Sequence, residues 1–196
     1  MMLIRGLGPR TPSENLFAKR FLGLKSKEIT DKRMKTIASF TVNHDILTEG
    51  MYISRVDGDV VTYDIRMKIP NGGDYLPTPA AHTIEHLFAT YARNSGFADQ
   101  VVYVGPMGCR TGFYLLVRDT VSHLQAIRLV QDSFAFIAAY EGEIPGTEKW
   151  QCGNYAEHDL PEAKRVAADL CRHLDGWTVE RLEYPTGETE FAPAGK

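Results

Sequence analysis

Hydrophobic positions along this chain change their period several times, and the changes mark out its elements. From Val60 to Ile69 the residues Val61, Tyr63, Ile65, Met67 and Ile69 alternate with polar ones from Thr62 onward, the two-residue period of a strand with one apolar face. Arg66 then lies on the opposite face. Ser39 to Val42 and Met51 to Val56 also read as extended, with Asp57-Gly58-Asp59 as a turn before the long strand. After a Gly/Pro-rich loop, Pro70 to Pro77, the residues Ile84, Phe88 and Tyr91 return at helical spacing. Thr78 suits the N-cap, Pro79 the first turn and Asn94-Ser95-Gly96 the stop. Strands at Gln100 to Val104 and Phe113 to Arg118 flank a glycine-rich turn that carries Cys109. A helix capped by Asp119 or Thr120 runs to about Tyr140 and buries Ile127, Val130, Phe134 and Ile137. Trp150 to Asn154 is irregular or a short strand. A last helix from Pro161 to Leu174 buries Val166, Leu170 and Cys171. Strands first, helices interspersed, no repeat and no dinucleotide-binding glycine pattern predict an α+β fold: a single domain with a mostly antiparallel sheet and helices packed on one side.

The ends differ from this body. Residues 1–33 show no clean period and contain Gly6, Gly8, Pro9, Pro12 and Gly23, so they read as a poorly ordered extension, or as sequence upstream of a true start at Met34. Residues 34–176 form the expected domain and residues 177–196 a loose tail. Net charge is −3 overall, but residues 1–33 hold eight Lys/Arg against three Asp/Glu, which leaves the remainder at −8. An acidic body argues against nucleic-acid binding. No apolar run approaches the ~20 residues of a membrane span, and no secretory apolar core follows the N-terminus. Three cysteines in no disulfide pattern point to free thiols, and a cytoplasmic location is expected.

The chemistry concentrates in Ala81-His82-Thr83-Ile84-Glu85-His86-Leu87. On a helix, His82, Glu85 and His86 fall on one face, so two imidazoles and a carboxylate converge. Ala89 and Arg93 share that face, roughly opposite the apolar stripe. A satisfied core histidine therefore explains the motif poorly, and a metal site covered by another element or subunit explains it better. A catalytic centre wants a third protein ligand and an open position; Cys109, Cys152, His44 and His158 are the candidates, and spacing does not choose among them. Arg110 beside Cys109 is expected to stabilise its thiolate.

The segments His82-Thr83-Ile84-Glu85-His86-Leu87, Pro106-Met107-Gly108-Cys109-Arg110-Thr111-Gly112-Phe113 and Gln151-Cys152-Gly153, preceded by Ser39-Phe40 and His44, together resemble S-ribosylhomocysteine lyase, the LuxS family. The resemblance spans about Ser39 to Leu174. It implies Fe(II), for which Zn or Co can substitute, held by His82, His86 and Cys152, with Glu85 and Cys109 as the acid/base pair. It implies cleavage of S-ribosyl-L-homocysteine to L-homocysteine and 4,5-dihydroxy-2,3-pentanedione, the precursor of a bacterial signalling molecule. It further implies a homodimer with the site at its interface, where Ser39, His44 and Arg66 reach the small-molecule substrate from the partner subunit and Arg93 meets the homocysteine carboxylate. One departure stands out: many members carry Asp-Ile-Ser where this chain has Tyr103-Val104-Gly105, which bears on how the substrate's amino group is held.

Two other classes share part of this pattern. Inverted zincins use His-x-x-Glu-His to activate a zinc-bound water for peptide hydrolysis, but such a metallopeptidase does not explain Cys109 on its turn. A non-catalytic zinc module would close its metal with four protein ligands and leave Glu85 idle.

Overall fold

The computed structural model describes Ile37 and residues 40–186. The expected extension at 1–33, the final residues from 187 and Ser39 lie outside the described residues. The chain divides after Thr41, and the unit that begins at Val42 holds every element that follows.

Four antiparallel strands form one sheet: β1 (Gly50–Asp57), β2 (Val60–Arg66), β3 (Val101–Pro106) and β4 (Gly112–Arg118), in the order β1-β2-β4-β3. Register puts Met51, Ile65 and Phe113 in one row and Ile53, Tyr63 and Leu115 in the next, so the alternating apolar residues share a face. Helix α1 (Thr78–Arg93) packs there: Phe88 meets Phe113 of the sheet edge-on at 6.4 Å and Phe134 of α2 (His123–Ala139) at 5.1 Å. Helix α3 (Leu160–His173) completes the layer through Val166 and Leu170. All three phenylalanines are fully buried, and each such side chain contributes about 1.5–3 kcal/mol of burial energy. The expected α+β architecture is observed. Among the described residues no helix is long and apolar enough to cross a membrane.

Three boundaries differ from expectation for local reasons. β2 ends at Arg66 because the N–H groups of Met67 and Lys68 both donate to the Thr111 carbonyl and the chain then turns at Ile69. Ile69 is consequently 49% exposed rather than in the apolar row. Pro77, not Thr78, occupies the cap position of α1. Helix α2 starts later than Asp119 or Thr120 would place it, because Ser122 and Gln125 form a reciprocal capping box.

The expected loose tail is packed as far as Tyr184. Trp177 is buried, donates from Nε1 to the Met51 carbonyl (3.1 Å) and stands edge-on to Tyr52 at 6.0 Å. Leu182 is fully buried, and Tyr184 stacks on Tyr52 at 5.3 Å. Tyr52 lies across from Asp64 in the sheet, so this segment covers the polar face of β2. Thr62, Asp64 and Arg66 are buried there instead of facing water.

Candidate metal centre and active-site cleft

Helix α1 turns Ala81, Ile84, Leu87 and Phe88 into the core and leaves His82, Glu85 and His86 half-buried on its other side. Each histidine is fixed by its second nitrogen. His82 Nδ1 lies 2.9 Å from the Glu157 carbonyl and His86 Nδ1 lies 2.8 Å from the Pro145 carbonyl. A carbonyl only accepts, so both Nδ1 atoms carry a proton, and the neutral form of each ring then presents its lone pair on Nε2, the tautomer that a metal ligand requires. Gly146 makes this possible for His86. Its φ is +78°, and a Cβ there would stand 3.2 Å from His86 Nδ1.

The turn after Glu148 brings Cys152 to the same point, with Sγ 3.3 Å from His82 Nε2 and accepting the Asn154 N–H at 3.4 Å. Ligand atoms of His82, His86, Cys152 and His158 all lie within 4.8 Å of one another. Two imidazoles with tautomers already set and one thiolate fit a borderline divalent metal such as Zn(II) or Fe(II).

Of the four candidates for a further ligand, the structure gathers Cys152 and His158. His158 is absent from the ligand set that the family resemblance implied. Thr83, inside the motif, brings it in: the Thr83 hydroxyl donates to the Pro79 carbonyl (2.9 Å), accepts the Asp159 N–H (2.9 Å) and lies 3.3 Å from His158 Nδ1. The His158 ring stacks on His82 at 4.2 Å, and its buried Nε2 has no partner among the described residues. Burial, and then the nearby His82 and His86, push its pKa below the ordinary value. The signal in the sequence was the threonine between the histidines, not a ligand spacing. His44 stays outside the cluster and bonds to its own Val42 carbonyl at 2.9 Å.

Cys109 also lies outside the ligand cluster. It sits on the turn from β3 to β4, where Arg110 takes φ +59° and the Met107 N–H donates to the Gly112 carbonyl. Its Sγ is 3.1 Å from Thr111 Oγ1 and 3.8 Å from Arg66 Nη1. Burial alone would raise the thiol pKa. The hydroxyl and N–H of Thr111, followed by the Arg66 charge, outweigh burial and hold it below the usual value. Arg110 plays no part in this, because its guanidinium turns over the Tyr75 ring at 5.6 Å. Arg66 arrives through sheet register: it pairs with Gly112, whose Cβ would fall 1.9 Å from the Ile65 carbonyl oxygen. Arg66 is 4% exposed and bonded to Thr111 and Asp64, because β2 ends directly beside the Cys109 turn.

Two clefts meet at Glu85. One of about 450 Å³ runs from His82 and Glu85 to Met107, Gly108 and Arg110, the turn that carries Cys109. The other, about 480 Å³, lies on the side of His86, Cys152 and Gly153. Glu85 thus borders both the metal-ligand side and the thiol turn. Arg93, at the outer end of α1, donates to the Val101 and Val102 carbonyls at 3.2 and 3.1 Å. Tyr103 folds its phenol over Gly105, where a Cβ would meet the hydroxyl at 2.0 Å.

A family model described as S-ribosylhomocysteinase (LuxS) matches residues 37–181. The chain is 48% identical over 161 residues to an S-ribosylhomocysteine lyase of Phocaeicola vulgatus, covering 79% of this chain and all of that protein. It is 46% identical over 157 residues to the enzyme of the same name from Clostridium acetobutylicum, covering 78% of this chain and 99% of that one. With its namesake from Borreliella burgdorferi it shares 41% identity over 157 residues, 78% of this chain and all of the relative.

Proposed function

The chain belongs to the S-ribosylhomocysteinase (LuxS) family, and on that premise we propose that it is a metal-dependent carbon–sulfur lyase cleaving S-ribosyl-L-homocysteine to L-homocysteine and 4,5-dihydroxy-2,3-pentanedione. The observation that carries the metal part is the pair of carbonyl-fixed histidines meeting Cys152. His82, His86 and Cys152 would hold the ion, Fe(II) in our reading, with Zn or Co able to substitute. When bound it supplies Lewis acidity that draws electron density from the sugar carbonyl.

Glu85 and Cys109 are the groups that move protons. One removes the proton on the carbon beside the carbonyl, and the acid returns it one carbon along, so the carbonyl migrates from the first sugar carbon towards the third. Two such shifts place it two bonds from the carbon that carries sulfur. Removal of the intervening proton then expels the homocysteine thiolate by β-elimination, with no net oxidation or reduction. Glu85 is suited to the role by its place between the two clefts, and Cys109 by the thiolate-favouring contacts of Thr111 and Arg66.

We further propose a cytoplasmic homodimer with the clefts at its interface, and Ser39 and His44 of the partner subunit reaching the substrate. Trp150 and Tyr155 on either side of Cys152 are 82% and 45% exposed, which supports a covering surface at this loop. Arg93 can take the homocysteine carboxylate, since each amino group it lends to β3 retains a second N–H. The test is homocysteine release by metal-loaded protein and its loss in Glu85→Gln and Cys109→Ala. Loss in neither variant would remove the acid/base assignment.

His158 favours one second reading, a closed four-ligand zinc site without catalysis. Nothing in the geometry favours the metallopeptidase.

A further inference from the structure

We infer that Tyr184 is a positioning residue: acting through Asp64, it fixes the guanidinium of Arg66 against the thiol of Cys109. This rests on the reading of Cys109 as the acid/base thiol. It adds a residue that lies past the stretch matched by the family model, which ends at 181.

The four groups form one chain of contacts. The Tyr184 hydroxyl donates to Asp64 Oδ2 at 2.8 Å. The same oxygen accepts from Arg66 Nη2 at 2.7 Å. Arg66 Nη1 then donates to Thr111 Oγ1 at 2.6 Å and stands 3.8 Å from Cys109 Sγ. Asp64 and Arg66 are 1% and 4% exposed. Asp64 Oδ1 and Arg66 Nε are buried without partners among the described residues, so the carboxylate rests on Arg66 and Tyr184 alone. A buried ion pair with two unmet polar atoms is poor value as a stabilising device, because an apolar pair of similar volume would usually serve as well or better. Its directional consequence is different: it aims one amino group of Arg66 at the thiol turn.

The charged and titratable groups around the thiol are few. Arg66 and Asp64 come from β2 and Tyr114 from β4, with Arg55 of β1 behind Tyr114. As a bare charge Asp64 opposes the effect of Arg66 on Cys109. As an anchor it supports it. The two roles therefore predict opposite signs when the charge is removed. Tyr184 gives a cleaner test, since burial and then the Asp64 charge hold its hydroxyl protonated far above neutral pH. Tyr184→Phe changes no charge and keeps the ring on Tyr52.

The experiment follows alkylation of Cys109 by iodoacetamide against pH in the full-length, metal-loaded protein, with the Cys109 peptide quantified by mass spectrometry. Tyr184→Phe is expected to move the curve upward by about one pH unit, roughly tenfold slower reaction at neutral pH. Asp64→Asn is expected to move it in the same direction. An unmoved curve in Tyr184→Phe, even with a lower Tm, would reduce the residue to a packing role and overturn the inference, as would a downward shift in Asp64→Asn. Homocysteine release is read separately. A thiol shift in Tyr184→Phe, alongside a wild type that releases no homocysteine, sinks the lyase reading and leaves the link from Tyr184 to Cys109 standing.

Discussion

Cys152 Sγ stands 3.3 Å from His82 Nε2, across a sequence separation of 70 residues. Without an ion the thiol can donate to that imidazole nitrogen; with one, the thiolate and the freed lone pair would both turn to the metal, beside His86 and His158. Cys152→Ala and His82→Ala are therefore expected to lose more than about 100-fold in metal affinity, because outer-shell partners alone are worth roughly 10–100-fold. Competition with a chelator measures it. Unchanged affinity in either variant would remove that residue from the ligand set.

His158 decides between an open and a closed centre. In the catalytic reading His158→Gln retains one metal per chain, with the thiolate and two imidazoles still bound. A closed structural site would lose the metal with that imidazole. Metal content after dialysis, together with the absorption of a Co(II)-loaded sample, reports which holds.

Cys109 should titrate below an ordinary thiol, and Thr111 is the largest favourable contributor. A depressed folded pKa means that thiolate, and with it nucleophilic reactivity, appears at lower pH than in the unfolded chain. Thr111→Val keeps the shape and deletes the hydroxyl. Its alkylation curve is expected about one pH unit higher than the wild type's, roughly tenfold slower near neutrality. A curve that stays in place would assign the depression to the Thr111 N–H and Arg66.

Trp177 carries the packing of the segment after α3. Replacing it with Ala removes a buried ring and the bond from Nε1 to Met51, and should cost about 3–5 kcal/mol in urea unfolding. A change under about 1 kcal/mol would restore the picture of a loose tail.

The fold was largely legible because periodicity reports burial directly. Val61, Tyr63 and Ile65 alternate into the core as they do in the sequence, and Ile127, Val130, Phe134 and Ile137 line the buried side of α2. The face of the histidine motif followed from helix geometry in the same way. What stayed hidden depended on contacts distant in sequence. The burial of Arg66 was not legible because Tyr184, which bonds to its partner Asp64 from 120 residues away, lies in a stretch with no period of its own. Arg110 looked like the partner of Cys109 because it is adjacent. A positive φ instead turns it towards Tyr75, while sheet register delivers Arg66. His158 stood among the four candidates, but choosing it required Thr83, whose hydroxyl ties two segments together without any pattern in either.

The most direct measurement is anaerobic turnover of S-ribosyl-L-homocysteine by the Fe(II)-loaded protein, following free thiol and the dicarbonyl product together. The account predicts equal amounts of homocysteine and 4,5-dihydroxy-2,3-pentanedione. Folded, metal-loaded protein that releases neither would contradict it, and would turn attention to Tyr103 and a different sugar thioether.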